Sequence, residues 1–246
     1  MHGHGHELKI EDPGGVGLPK PLMIASIVLM VLGVILMADR LIGEETQLQG
    51  WMALLHAYFF FFLLSLGGLV FTAIQYCASA RWSITVRRIA EGFAIFLPIS
   101  FVLFLILVTF GWDVLYNLGS ETRANAVSWS GATKSGTYFT NGGNDIITKA
   151  AFLSQPAVII KGILFYAFWG FCAFTIRKNS LSQTDKKDDR FYKKNVKFSI
   201  LFLIVFMYTF SIHAIDMLMN LEPKWFSTMF GVYMFAGMFL STMCLI

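Results

Sequence analysis

The chain has 246 residues, of which 56% are apolar and only 14% charged, with a net charge of +4. A soluble domain carries about 25% charged residues, so the composition points to an apolar solvent and argues against a soluble nucleic-acid module, which needs a basic face on a polar body. The three cysteines, Cys77, Cys172 and Cys244, are scattered through apolar runs without CxxC, CxxCH or Cys/His ligand spacing, so iron–sulfur, zinc and c-type haem motifs are absent.

Residues 1–20 read as a polar N-terminal tail punctuated by Pro13, Gly14, Gly15, Gly17 and Pro19. His2, His4 and His6 offer weak ligands to a transition metal, but a solvated tail is the preferred reading. The basic residues Lys9 and Lys20 are mixed with Glu7, Glu11 and Asp12, and the apolar run that follows exceeds a signal-peptide core of about 7–15 residues. It is expected to be a retained first span.

Residues 21–246 read as a transmembrane helical domain with about six spans, near 22–42, 51–77, 90–111, 157–176, 198–219 and 225–246. Each run supplies roughly the 20 residues that cross the hydrocarbon core. Helices are required because each backbone N–H must be satisfied within its own segment, and the continuous runs exclude the alternating pattern of a porin-like barrel. The fold class is therefore an all-α, polytopic helical bundle. With a cytoplasmic N-terminus, thirteen Lys and Arg fall in inner segments, eight of them in the basic loop 177–197, against five in outer ones. The positive-inside rule favours that orientation. The loop 112–156 then lies outside; its length, its Gly, Ser, Thr and Asn content and its Trp112 and Trp129 suit a docking surface for a neighbouring subunit or plain disorder.

In the second span Ser65, Gly68, Thr72 and Gln75 share a helical face. Glu91 opens the third, and Pro98, two turns later, is expected to bend it. These groups suit an inner half-channel; the competing account of Glu91 is an interfacial ion pair with Arg87 or Arg88. Lys161, about one turn inside the fourth span, is read as snorkelling outward. The fifth span carries the strongest signal. Thr209, His213, Asp216 and Asn220 fall at i, i+4, i+7 and i+11, on one face of an otherwise apolar helix, and span about 16 Å. Ionisable groups inside a bilayer are costly and mark functional paths by default. The stripe suits either the head of a quinone or an outer proton half-channel, with Asp216 orienting His213; the bland alternative is a polar seam between helices. His56 and His213, the two intramembrane histidines, raise a bis-histidine b-type haem as a remote reading. Asp39 and Asp113 are expected at the interface, the Met residues of the last two spans are read as packing, and the pairs Ser227/Gly231 and Gly237/Ser241 allow close contact of the sixth span. That span ends at Ile246 without a polar flank, so the sequence is expected to be truncated at its C-terminus.

Two stretches carry a family resemblance: Asp216-Met-Leu-Met-Asn-Leu-Glu-Pro-Lys-Trp-Phe-Ser-Thr-Met-Phe-Gly-Val-Tyr233 and Ala80-Arg-Trp-Ser-Ile-Thr-Val-Arg-Arg-Ile-Ala-Glu91. Both resemble the smaller polysulfide-reductase-type (NrfD-like) membrane subunit of bacterial alternative complex III, a quinol:cytochrome c oxidoreductase of the respiratory chain in the bacterial inner membrane. The resemblance covers spans two to six. It implies four-helix bundles within a longer protein of about ten spans. The implied partners are a second, quinol-binding NrfD-like subunit, multihaem and monohaem cytochrome c subunits, an iron–sulfur subunit and a neighbouring haem–copper oxidase. Menaquinol is the implied electron donor in the complex, with haem and iron–sulfur clusters in the partner subunits and no cofactor bound by this one. The expected function is thus a non-catalytic subunit that anchors redox partners and conducts protons through half-channels, with Thr209, His213, Asp216, Asn220 and His56 on one side and Glu91 and Gln75 on the other. Two alternatives stay open: a subunit that binds and oxidises quinol in its own right, and a secondary transporter, although no clear internal repeat is visible.

Overall fold

The computed structural model describes residues 19–43, 46–116, 152–186, 189–221 and 227–246. The expected tail 1–18, including His2, His4 and His6, and the bulk of the long loop, 117–151 with Trp129, lie outside the described residues, as does 222–226 of the first resemblance motif.

The described residues form helices without a strand. α1 spans Lys20–Ile42, α2 Gln47–Cys77, α3 Ile84–Phe93, α4 Leu97–Phe110, α5 Gln155–Lys186, α6 Asp189–Met217 and α7 Phe230–Leu245, with single 3-10 turns at Arg81–Ser83, Ala94–Phe96 and Met219–Leu221. Five stretches are long and apolar enough to cross a membrane, α3 and α4 together counting as one; α7, at 16 residues, is shorter. Of the sixth span expected at 225–246, the described helix is the apolar Phe230–Leu245.

α2 is the hub. It packs against α1, α3, α4, α6 and α7, and its buried side includes Leu55, Tyr58, Phe62, Leu66, Thr72 and Tyr76. Gly68 lets α3 approach closely: a Cβ there would stand 2.5 Å from the Ala90 carbonyl oxygen and 2.9 Å from Phe93 Cβ. α1 is apolar on all sides and none of its central window is buried by the rest of the chain. It touches α2 near Gly50, whose missing side chain admits the Arg40 backbone. A helix that is apolar all round, yet unburied in its own chain, requires lipid or another helix around it.

The third span differs from the expected 90–111. An amphipathic helix, α3, precedes it, so Glu91 sits near the end of that helix and does not open one. The chain then tightens into a 3-10 turn before Pro98 enters the first turn of α4, where proline's missing N–H costs little. The basic stretch expected as a loop at 177–197 is mostly helical: α5 continues to Lys186 and α6 begins at Asp189. Hydropathy marks where apolar residues stop; it does not stop a helix whose polar residues still favour helical backbone. The two extensions are tied together, with Asn179 Nδ2 donating to Asn195 Oδ1 at 3.0 Å and Asn195 Nδ2 to the Ile176 carbonyl at 3.1 Å.

The turn from α2 to α3 closes through a left-handed residue, Ser79, at φ 52°. The Ala80 N–H donates to the Gln75 carbonyl and the Ser79 N–H to the Tyr76 carbonyl, the pairing of a helix C-cap that usually employs glycine.

Candidate functional site: two buried polar sets

The α6 stripe turns inward. His213, Asp216 and Asn220 are buried, and Thr209 is half-buried. The 3.6-residue period places them on one face, and the apolar exterior of α6, with Ile204, Met207 and Tyr208 exposed, points the opposite way.

His213 Nε2 lies 2.8 Å from the hydroxyl of Tyr58 on α2, which in turn lies 2.8 Å from the hydroxyl of Tyr166 on α5. Three helices therefore contribute to one hydrogen-bonded chain, Tyr166–Tyr58–His213. Phe59, Phe62, Phe104 and Trp169 surround the imidazole, with ring centroids 5.0–6.3 Å away. One turn deeper, Trp169 Nε1 donates to Thr209 Oγ1 at 3.0 Å, and that hydroxyl donates to the Val205 carbonyl at 3.0 Å. Hydroxyl and imidazole groups can both accept and donate a proton, so the chain has the parts of a proton relay.

Asp216 is not the group that orients His213. Its carboxylate accepts from Lys161 of α5 at 2.6 Å, while the imidazole is held by Tyr58. Lys161 accordingly does not snorkel away. Its ammonium also donates to the Phe152 carbonyl at 3.0 Å and stands 3.5 Å from the centre of the Phe152 ring. Tyr116, in the helical segment 112–116, donates its hydroxyl to the Met217 carbonyl at 2.9 Å. Burial first, and the Asp216 carboxylate second, push the Tyr116 phenol well above its ordinary range, so it acts as a neutral donor.

A second set lies at the opposite end of the bundle. Glu91 is buried and accepts from Ser180 Oγ of α5 at 2.8 Å. Its carboxylate stands 3.8 Å from both Arg87 and Arg88. The Arg87 guanidinium lies 4.1 Å over the ring of Tyr76, and Arg88 donates to the Ser180 carbonyl at 3.3 Å. The ion pairs weighed for Glu91 from sequence are thus present, with Ser180 as an added partner. On α2, Ser65 and Thr72 are buried and their hydroxyls bond to no group among the described residues, while Gln75 is half-buried.

Between the two sets the core is mainly apolar, with the buried hydroxyls of Ser65, Thr72 and Ser199 among the apolar side chains. From Trp169 to Ser180 along α5 is about 16 Å, and that interval is filled by Cys172 and Ile176 together with Phe202, Phe206, Leu66 and Leu69 from the facing helices.

The bis-histidine reading is corrected. His56 is exposed, with Nδ1 2.7 Å from the Met52 carbonyl of its own helix, whereas Tyr58, two residues on, faces His213. Positions two apart on a helix are turned by about 200°, so α2 itself separates the two imidazoles. Asp39 and Asp113 are exposed at helix ends. Of the small-residue pairs, Gly231 packs against Ser211, whereas Gly237 meets open space.

Sequence reasoning missed Tyr58, Tyr166, Trp169 and Ser180, and misjudged Lys161. One signal was available for the last: Lys161 near the start of one apolar run and Asp216 near the end of the next fall at similar depth once the two helices run antiparallel. Neither a protein-family model nor a curated protein sequence matches this chain.

Proposed function

We propose that this chain is a membrane subunit of a respiratory quinol:cytochrome c oxidoreductase of the NrfD-like, alternative complex III type, and that it conducts protons between its two polar sets and the two membrane surfaces. In this reading it carries no redox centre, anchors haem-bearing and iron–sulfur partners, sits beside a menaquinol-binding paralogue and keeps its N-terminus in the cytoplasm. The observation that carries the reading is the coincidence of motif and chemistry. The two stretches that resemble the family each contain a buried carboxylate, Asp216 in one and Glu91 in the other, at opposite ends of a bundle whose middle is mainly apolar. Two half-routes that stop short of each other permit gated passage and resist a passive leak. The multi-helix hydrogen bonding of His213 and Asp216 supports a relay over a lipid-facing role, because both are turned away from the apolar exterior.

The test is purification of the native assembly from membranes with an affinity tag on this chain. Co-elution of haem-bearing subunits, a haem spectrum and quinol-dependent cytochrome c reduction are the expected results. Elution of the chain alone, without haem, would remove the respiratory assignment. Replacing His213 with Phe in that assembly should leave quinol turnover in place and change proton translocation; loss of turnover itself would favour direct quinol oxidation by this subunit.

A further inference from the structure

We infer that Lys161 is the proton-transferring group at the outlet of the α6 route, and more than a static counter-ion of Asp216. The inference rests on the proton-conducting reading above and assigns a role to a residue outside the α6 stripe.

Three observations carry it. First, exposure rises along the series. The side chains of Tyr58 and His213 are 0% and 1% exposed, Asp216 2% and Lys161 17%. Lys161 is thus the member of the series that stands nearest to the surroundings. Second, the ammonium has partners on two sides. It holds the Asp216 carboxylate at 2.6 Å on the buried side and the Phe152 carbonyl at 3.0 Å, beside the Phe152 ring, on the other. A group bonded in both directions can release a proton one way and accept one from the other. Third, α5 itself gives no reason for a cation there. Lys161 is six residues past the start of α5 at Gln155, in an otherwise apolar stretch where a lone charge is costly. Its position is accounted for by the Asp216 carboxylate that faces it from α6, with Tyr116 near the same carboxylate.

The step balances without electron transfer. A proton arriving from the His213 side forms an O–H bond on Asp216. Lys161 releases one ammonium proton to water beyond Phe152 and becomes a neutral amine. The Asp216 O–H bond then breaks, its proton passes to the amine, and the ion pair is restored. One proton enters and one leaves.

Lysine can do this because its amine is titratable when buried; arginine at the same place keeps the charge and the carboxylate contact but does not deprotonate. The native assembly carrying this chain, reconstituted into liposomes with a pH-sensitive dye inside and driven by quinol-dependent cytochrome c reduction, supplies the measurement. The wild-type assembly should give turnover-driven proton flux above that of empty liposomes. Lys161→Arg should fold and lower that flux by roughly 100-fold, the lower range for a positioned proton-transfer group. Wild-type flux equal to that of empty liposomes would overturn the conducting reading and this inference together. A Lys161→Arg flux equal to wild type would overturn the Lys161 assignment alone. If Lys161→Arg does not fold, Lys161→His decides. Imidazole carries protons with a pKa near 6.5, so conduction should persist with its pH midpoint moved to lower pH, and an unmoved midpoint would overturn the assignment.

Discussion

The two ends of the bundle solve the same problem by different means. Each holds one buried carboxylate among cations. Glu91 finds its cations on its own helix, three and four residues earlier, both at 3.8 Å, with Arg88 still 34% exposed. Asp216 finds its cation 55 residues away, on α5, at 2.6 Å. The first arrangement is supplied by helix geometry and exists wherever α3 is helical. The second exists only when α5 and α6 are docked in register. Glu91 divides its charge between the buried Arg87 and the partly exposed Arg88, and an exposed pair contributes little; Asp216 relies on Lys161, and a buried charge whose partner is removed is left without compensation. The Asp216 end is therefore where folding and polar chemistry are most tightly coupled.

This contrast can be broken most directly at the carboxylates. Asp216→Ala should lower the unfolding free energy by about 3–5 kcal/mol, because the Lys161 ammonium stays largely buried. Denaturant titration in detergent micelles measures it. The double replacement Asp216→Leu with Lys161→Met should recover most of the loss. Glu91→Gln, which keeps an acceptor for Ser180 but leaves the buried Arg87 without its carboxylate, should cost about 1–2 kcal/mol, less than the Asp216 loss. Equal losses at the two ends would erase the distinction.

The tyrosines sharpen it. Tyr58→Phe strands His213 Nε2 in the core, for a loss of about 1–3 kcal/mol. The Tyr76 hydroxyl at the other end is buried and bonds to no group among the described residues, so Tyr76→Phe should leave the thermal midpoint within about a degree of wild type or raise it. The order of the two midpoints is the readout, and a reversed order would show that the hydroxyl networks are misassigned.

The smallest effect is expected at the α2–α3 turn. Ser79 adopts φ 52°, which costs a residue with a Cβ about 1–2 kcal/mol. Ser79→Gly should therefore stabilise by up to about 1 kcal/mol, after glycine's greater unfolded-state freedom is subtracted. A lower thermal midpoint would mean that the Ser79 side chain contributes a contact of its own.

Much of this was legible from residues alone. The apolar runs gave the helices, Pro98 marked the break before α4, and the 3.6-residue period put Thr209, His213, Asp216 and Asn220 on one face. Glu91 with Arg87 and Arg88 was readable because the pairing is a property of a single helix. The basic segment 177–197 was misread because charge signals the end of an apolar span, whereas the helix continues through it. Tyr58 and Tyr166 were invisible because a tyrosine in an aromatic-rich run looks like packing until its hydroxyl is seen to meet another polar atom.

Composition and periodicity, which are properties of neighbours in sequence, determined that this protein is helical, that its long helices are apolar enough to cross a membrane, and which side of α6 is polar. The tertiary structure alone decided that Lys161 meets Asp216, that Tyr58 and not Asp216 holds His213, and that α2 keeps His56 apart from His213. Those outcomes depend on the docking and relative depth of separate helices, and a shift of one turn, about 5.4 Å, would replace every one of these partners.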